Sequence, residues 1–113
     1  MKKFTILIPV YNDWESLNKL LSNINDKIKS FLNTEFKCVI INDSSTIKNP
    51  EIKIPSNISS IEIIHMSKNK GHARCNAFGI KYLSKNSDFD YVILMDGDGE
   101  DRPEELKLLV DKV

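Results

Sequence analysis

The chain has 113 residues, which is enough for one domain with a modest hydrophobic core. Its 16 basic and 16 acidic residues cancel, so no net charge attracts nucleic acid or an anionic membrane surface. No apolar stretch approaches the roughly 20 residues that span a bilayer, and the first residues lead into a predicted strand rather than a signal peptide. Cys38 and Cys75 lack a metal-binding spacing, and we interpret them as two buried free thiols. We expect a cytoplasmic protein without a nucleic-acid partner.

Apolar patterning predicts strands and helices that alternate along the chain. The predicted strands are 4–9, 36–42, 61–65 and 91–95, and the predicted helices follow Asn12 or Asp13 as N-cap, cover 71–83, and begin near Pro103. The apolar stripe of the first helix is Leu17, Leu20, Leu21, Ile24, Ile28 and Phe31, and that of the last is Leu106, Leu109, Val110 and Val113. This order indicates an α/β fold, a mostly parallel doubly wound sheet, in one domain over residues 1–113.

The stretch from Tyr91 to Glu105 predicts a strand, covered on both faces, that runs into a cluster of acids. Asp96 and Asp98 are two residues apart in an extended segment, so both carboxylates point to one side. Hard divalent cations prefer carboxylate oxygens, and Mg²⁺ or Mn²⁺ is usually held by one or two carboxylates plus substrate phosphates. These residues therefore predict a metal–diphosphate site at the C-terminal edge of the sheet.

Two alternatives compete with the metal site. Acidic, glycine-rich segments are often solvated turns. A calcium EF-hand loop is excluded, because Asp101 stands where the loop needs Gly and Lys107 where it needs Glu.

Polar residues also follow the other predicted strands. Tyr11 can stack on a planar base and Asp13 can accept a base N–H, although packing and helix capping are the alternatives. Asp43 follows the second strand, where it binds a ligand or anchors a turn. After the third strand, residues 68–74 place Arg74 and other cationic groups at the start of a helix. This segment either binds an anion or is a solvated basic turn. Together, the four strand ends carry what a metal-bound nucleoside diphosphate needs.

The sequence resembles family 2 glycosyltransferases with the GT-A fold, and within them the dolichol-phosphate mannose synthase-like branch that acts on polyprenyl phosphates. The matching motifs are I-P-V-Y-N-D at 8–13, I-I-N-D-S-S at 40–45, N-K-G-H-A-R at 69–74 and M-D-G-D-G-E-D-R-P-E at 95–104. They stand in the order and spacing of the family and span almost the whole chain.

The resemblance implies a UDP- or GDP-sugar donor and metal-dependent, inverting hexosyl transfer to a polyprenyl phosphate or a glycan, as in cell-envelope polysaccharide synthesis. The residues implied in nucleotide-sugar binding are Pro9, Tyr11, Asp13, Asp43, Arg74 and Asp96. Those implied in holding Mg²⁺ or Mn²⁺ are Asp96, Asp98 and Glu100. The enzyme would work at the cytoplasmic face of the membrane.

Two features depart from the family pattern. The usual acidic pair after the second strand is Asn42-Asp43, which leaves one acid to contact the base. Family members also continue well past the position of Val113, and their acceptor site and catalytic base lie in that later part. We therefore expect a donor-binding half that is inactive alone and that self-associates through an exposed sheet edge. The alternative function is a catalytically silent nucleotide- or metal-binding module.

Overall fold

The computed structural model describes residues 1–86, 88–96 and 106–111. In chain order, its elements are β1 (Lys2–Val10), α1 (Trp14–Ile28), β2 (Thr34–Asn42), β3 (Ser60–His65), α2 (His72–Asn86), β4 (Tyr91–Leu94) and α3 (Leu106–Asp111). The four strands form one parallel sheet in the order β3-β2-β1-β4. The prediction of an α/β fold with a mostly parallel sheet is confirmed.

The two faces of the sheet are covered by different helices. On β1, alternate residues from Phe4 to Val10 pack with the buried stripe of α1 and with Leu106 and Val110 of α3. Leu7, which points the other way, packs with the buried side of α2. The resulting helix–sheet–helix layering follows from the period of two in side-chain direction along a strand.

The first helix begins and packs as its sequence predicts. Asp13 is the N-cap, and its Oδ1 accepts a hydrogen bond of 3.2 Å from the backbone N–H of Ser16. The predicted stripe from Leu17 to Ile28 is buried, and Phe31, which lies beyond the helix end, is half-buried against the same cluster. An apolar stripe at helical spacing is therefore sufficient to predict the side of α1 that faces the sheet.

The prediction that residues 91–95 are covered on both faces is wrong. Tyr91 and Leu94 are 36% and 49% exposed, because β4 is an edge strand of the sheet that the described residues form. The prediction for the last helix is correct for Leu106 and Val110 but wrong for Leu109, which is 47% exposed. Pro103, near which the helix was predicted to begin, and Val113 lie outside the described residues. Self-association through the β4 edge stays a prediction.

A glycine allows α2 to approach β1 closely. A Cβ atom at Gly79 would lie 2.7 Å from both Cδ atoms of Leu7, which is fully buried. Close-packed interiors accommodate such added volume only by shifting side chains or backbone. Gly79 therefore sets the separation between α2 and the central strand.

We expect Gly79→Val to lower the free energy of unfolding by about 1–3 kcal/mol, because the added methyl groups overlap Leu7. Urea denaturation measures the loss. The matched control is Ala77→Val, which puts the same side chain on an exposed position of α2 and costs only helix propensity, about 0.5 kcal/mol. Equal losses in the two variants would contradict the close approach.

Candidate functional site

The strand order puts a topological switch point between β1 and β4, and we call the carboxyl edge of the sheet at this point the β1–β4 crevice. From β1 the chain passes through α1 to β2 on one side, whereas from β3 it passes through α2 to β4 on the other side. The two connecting helices leave the carboxyl edge of the sheet on opposite faces. In open α/β sheets, ligands bind at such a topological switch point.

Pro9 lies at the point where β1 and β4 separate. The last paired residues are Leu7 and Leu94, and the Met95 N–H donates to the Leu7 carbonyl at 3.0 Å. Pro9 is two residues further along β1, so its backbone nitrogen and carbonyl point toward β4, as those of Leu7 do. Because proline has no N–H, it interrupts the ladder beyond the last pair without leaving a donor unpaired. The predicted base-binding residue Pro9 is itself buried.

Tyr11 and Asp13 stand at the mouth of this crevice, directly after β1. Tyr11 is 42% exposed, so its ring is not part of the packed core. Asp13 is exposed and uses one oxygen to cap α1. Within the described part of the chain, no hydrogen bond or ion pair joins Tyr11 or Asp13 to Arg74, which is exposed in the first turn of α2. Their roles in nucleotide binding stay predictions.

Asn12 fixes the loop that follows β2 against the end of β1. Its backbone is left-handed, with φ of 63°, which asparagine tolerates better than most residues. Its side-chain Oδ1 accepts from the backbone N–H groups of Thr46 at 2.8 Å and Ile47 at 2.9 Å. Its own N–H donates to Ser45 Oγ at 2.9 Å, and Trp14 Nε1 donates to the Ile47 carbonyl at 2.9 Å. Sequence reasoning considered Asn12 only as a helix cap and missed this role.

Asn42 holds the same loop from the end of β2. Its buried side-chain Oδ1 accepts from the Ser45 N–H at 3.1 Å, and its Nδ2 lies 2.9 Å from Nδ1 of His65 on the neighbouring strand. Since an amide NH₂ only donates, His65 Nδ1 is the acceptor and the ring proton is on Nε2. The side-chain amide of Asn42, which stands in place of one acid of the pair expected after the second strand, thus joins β2, β3 and the loop after β2.

Asp43 joins the end of β2 to the start of α2. It is 1% exposed, and its Oδ1 and Oδ2 accept from the backbone N–H groups of Lys70 at 2.7 Å and Gly71 at 2.9 Å. Gly71 has φ of 85°, a conformation that favours glycine. Of the two interpretations of Asp43, the turn anchor is the one that its contacts satisfy, and direct contact with a base stays a prediction.

The two cysteines are buried and unpaired, as predicted. Burial raises the pKa of the Cys38 thiol to about 12. Burial, together with a hydrogen bond to Asp43, raises the pKa of the Cys75 thiol to about 12. Both groups are therefore neutral thiols at pH 7, whereas a metal ligand or nucleophile needs the thiolate.

The start of α2 also approaches the end of β4. His72 Nδ1 lies 3.9 Å from Asp96 Oδ1, and the side chains are 39% and 45% exposed. The contact is an ion pair only when His72 is protonated. Asp96 therefore lies at the carboxyl edge beside the predicted phosphate-binding segment. Asp98 and Glu100, the other predicted metal ligands, lie outside the described residues.

Residues 5–113 match the family model described as "Glycosyl transferase family 2". The chain belongs to glycosyl transferase family 2.

Three proteins to which the chain is similar share one name. The chain is 31% identical, over 97% of its length, to an undecaprenyl-phosphate 4-deoxy-4-formamido-L-arabinose transferase of Photorhabdus laumondii. It is 29% identical over 97% of its length to the Proteus mirabilis protein of that name, and 30% identical over 99% to the Salmonella choleraesuis protein. The matches cover 33%, 33% and 34% of these relatives, so the chain spans about a third of their length.

Family 2 membership agrees with where the structure places the motifs. Three segments that carried the resemblance, 8–13, 40–45 and 69–74, meet at the carboxyl edge through the contacts of Asn12 and Asp43. Among the helices of the described residues, none is long and apolar enough to cross a membrane.

We expect Asn12→Ala to free the loop after β2, because it removes the acceptor of the Thr46 and Ile47 amides and puts alanine at a positive φ. Amide hydrogen exchange at these two residues should accelerate, and the free energy of unfolding should fall by about 1–2 kcal/mol. Asn12→Asp, which keeps an acceptor oxygen, is the control and should retain most of the protection. Unchanged exchange in Asn12→Ala would show that other contacts hold the loop.

Proposed function

We propose that this chain is the donor-binding part of a glycosyltransferase that moves a sugar from a nucleoside-diphosphate sugar to a polyprenyl phosphate. The observation that carries the proposal is the convergence of Tyr11, the start of α2 and Asp96 on the switch-point crevice between β1 and β4. Family 2 membership and the names of the relatives, which specify undecaprenyl phosphate, support the polyprenyl-phosphate branch. The enzyme would work at the cytoplasmic face of a membrane, in cell-envelope synthesis.

In this proposal, the two sides of the crevice bind different parts of the donor. The exposed ring of Tyr11 stacks on the base, and Asp13 accepts a base N–H with the oxygen that does not cap α1. Arg74 and the free N–H groups at the start of α2 bind the diphosphate oxygens. The base is uracil or guanine.

A divalent cation, Mg²⁺ or Mn²⁺, is part of the same proposal. Asp96 is a suitable ligand because it offers carboxylate oxygens at the carboxyl edge and is 45% exposed. Asp98 and Glu100 would complete the set from the adjoining segment. When bound, the cation neutralises charge on the departing diphosphate.

The acceptor determines whether the enzyme needs a general base. A polyprenyl phosphate is already ionised at pH 7, so it attacks the anomeric carbon without a general base. Direct displacement by its oxygen inverts the configuration at that carbon and releases the nucleoside diphosphate. The acceptor site would lie in sequence that corresponds to the remaining two thirds of the relatives.

We expect Asp98→Ala to abolish metal-dependent nucleotide binding while leaving the thermal midpoint within a few degrees of wild type, because in this proposal the carboxylate binds the cation and does not stabilise the fold. Calorimetric titration with UDP and GDP in Mn²⁺ and in EDTA measures the effect. Asp26→Ala, which removes an exposed carboxylate near the end of α1, is the control. Wild-type affinity of Asp98→Ala in Mn²⁺ would refute the metal site.

We expect Tyr11→Ala to weaken nucleotide binding about tenfold, with or without metal, because base–aromatic stacking is worth about 1–3 kcal/mol. Tyr11→Phe keeps the ring and should bind nearly as tightly as wild type. The same titrations provide the measurement. If Tyr11→Ala binds like wild type, the ring has no part in the site.

A further inference from the structure

The chain leaves β1 through two successive three-residue turns. The Asp13 N–H donates to the Tyr11 carbonyl at 2.8 Å, and Asn12, at the centre of this turn, has φ of 63°. The Trp14 N–H donates to the Asn12 carbonyl at 3.0 Å, across Asp13. A three-residue turn with a positive central φ is rare and strained. Such strain persists only where the surroundings determine the conformation, and it is concentrated at ligand sites.

Asn12 has a partner for each of its hydrogen-bonding groups, and most of these partners lie in the loop after β2. Its N–H donates to Ser45 Oγ at 2.9 Å, and its Nδ2 donates to Thr46 Oγ1 at 3.1 Å. Its Oδ1 accepts from the backbone N–H groups of Thr46 at 2.8 Å and Ile47 at 2.9 Å. With its carbonyl bonded to Trp14, Asn12 uses its polar groups to hold the chain around it. It is therefore suited to act on a ligand through its neighbours rather than by contact.

The neighbours of Asn12 include two of the residues that are expected at the base. Val10 and Asn42 form the last pair in the register of β1 and β2, and Tyr11 and Asp43 directly follow that pair. The Asp43 N–H donates to the Val10 carbonyl at 2.8 Å. Tyr11 and Asp43 therefore leave the sheet side by side, and the contacts of Asn12 join the two chains just beyond them.

The phosphate side of the crevice is held by other contacts. The turn before α2 donates to the Asp43 carboxylate through the backbone N–H groups of Lys70 and Gly71. Among the residues that the structure describes, no hydrogen bond joins Asn12 or residues 45–47 to residues 70–74. The base side and the phosphate side of the site therefore have separate supports.

We propose that Asn12 is a positioning residue for the base of the donor. It holds Tyr11 and the 45–47 loop in one fixed arrangement at the end of β1, so that the ring of Tyr11 is in place before the base binds. When Asn12 is replaced, only a fraction of molecules keeps this arrangement, and the apparent affinity for the base falls by that fraction. The inference rests on the proposed function, because it assumes that a nucleoside diphosphate binds at this edge.

The test compares ligands with and without a base. Wild type and Asn12→Gly are titrated, by NMR, with UDP, GDP and inorganic pyrophosphate, each in Mg²⁺. Glycine adopts the positive φ freely, so this variant removes the side-chain contacts without straining the turn. We expect the preferred nucleotide to bind about three- to tenfold more weakly and pyrophosphate to bind within about twofold of wild type. Unchanged affinity for the nucleotide would overturn the proposal, and so would an equal loss of pyrophosphate, which would mean that Asn12 merely supports the fold.

A double variant tests whether Asn12 acts through Tyr11. In Tyr11→Ala the ring is absent, so adding Asn12→Gly should weaken the nucleotide less than about twofold further. Losses that multiply would mean that Asn12 acts independently of the ring and would contradict the proposal. The matched control is Asn49→Gly, which makes the same change later in the same loop, where the side chain donates to the adjacent Pro50 carbonyl, and it should bind like wild type.

Ser45→Ala keeps the test decisive if Asn12→Gly does not fold. It removes the acceptor of the Asn12 N–H, so it should weaken the preferred nucleotide about two- to fivefold and leave pyrophosphate unchanged. Wild-type nucleotide affinity in Ser45→Ala would then refute the inference. A folded wild type that binds neither nucleotide would instead refute the proposed function, on which the inference rests.

Discussion

The parallel pairing of β1 with β2 on one side and β4 on the other is the constraint on which the rest of the structure depends. Parallel strands need crossover connections, so each neighbour of β1 is reached through a helix. Because the neighbours lie on opposite sides, α1 and α2 cover opposite faces of the sheet. The same topology brings the carboxyl ends of the four strands to one edge and opens the crevice between β1 and β4.

Polar side chains, of which Asn42 and Asp43 are buried, then give this edge its shape. Asn12 and Asn42 hold the loop after β2, and Asp43 holds the turn before α2. Asn12 and Asp43 make these contacts to backbone groups of segments distant in sequence, so they fix the positions of the loops at the edge of the sheet. A buried polar group is costly unless it is paired, and this cost favours one arrangement of the loops over others. A diphosphate site needs such pre-organised backbone donors.

The sequence predicted the regular elements well because their signals are local. An apolar stripe identifies the buried side of α1, and a run of β-branched and aromatic residues identifies β1 and β2. The burial of β4 could not be predicted in this way, because the exposure of Leu94 depends on which strand lies at the sheet edge.

Part of the site was also predictable from the sequence. Tyr11, Asp43 and Asp96 could be placed at one edge because they follow parallel strands. The loop partners of Asn12 and Asp43 could not be predicted, since they lie 33–35 and 27–28 residues away in the chain. Whether an aspartate at a strand end faces a ligand or a turn depends on such tertiary contacts, which leave no mark on the local sequence.

The most direct test of the account is an NMR titration of the wild-type chain with UDP and GDP in Mg²⁺, following backbone amides at both ends of the sheet. The account predicts that one nucleotide shifts the signals of Tyr11, Lys70, Gly71 and Asp96 at the carboxyl edge. It also predicts that Ser30 and Asn33, in the connection that precedes β2 at the amino edge, are unaffected. Shifts confined to the amino edge, or none with either nucleotide in a folded chain, would contradict a donor site at the β1–β4 crevice.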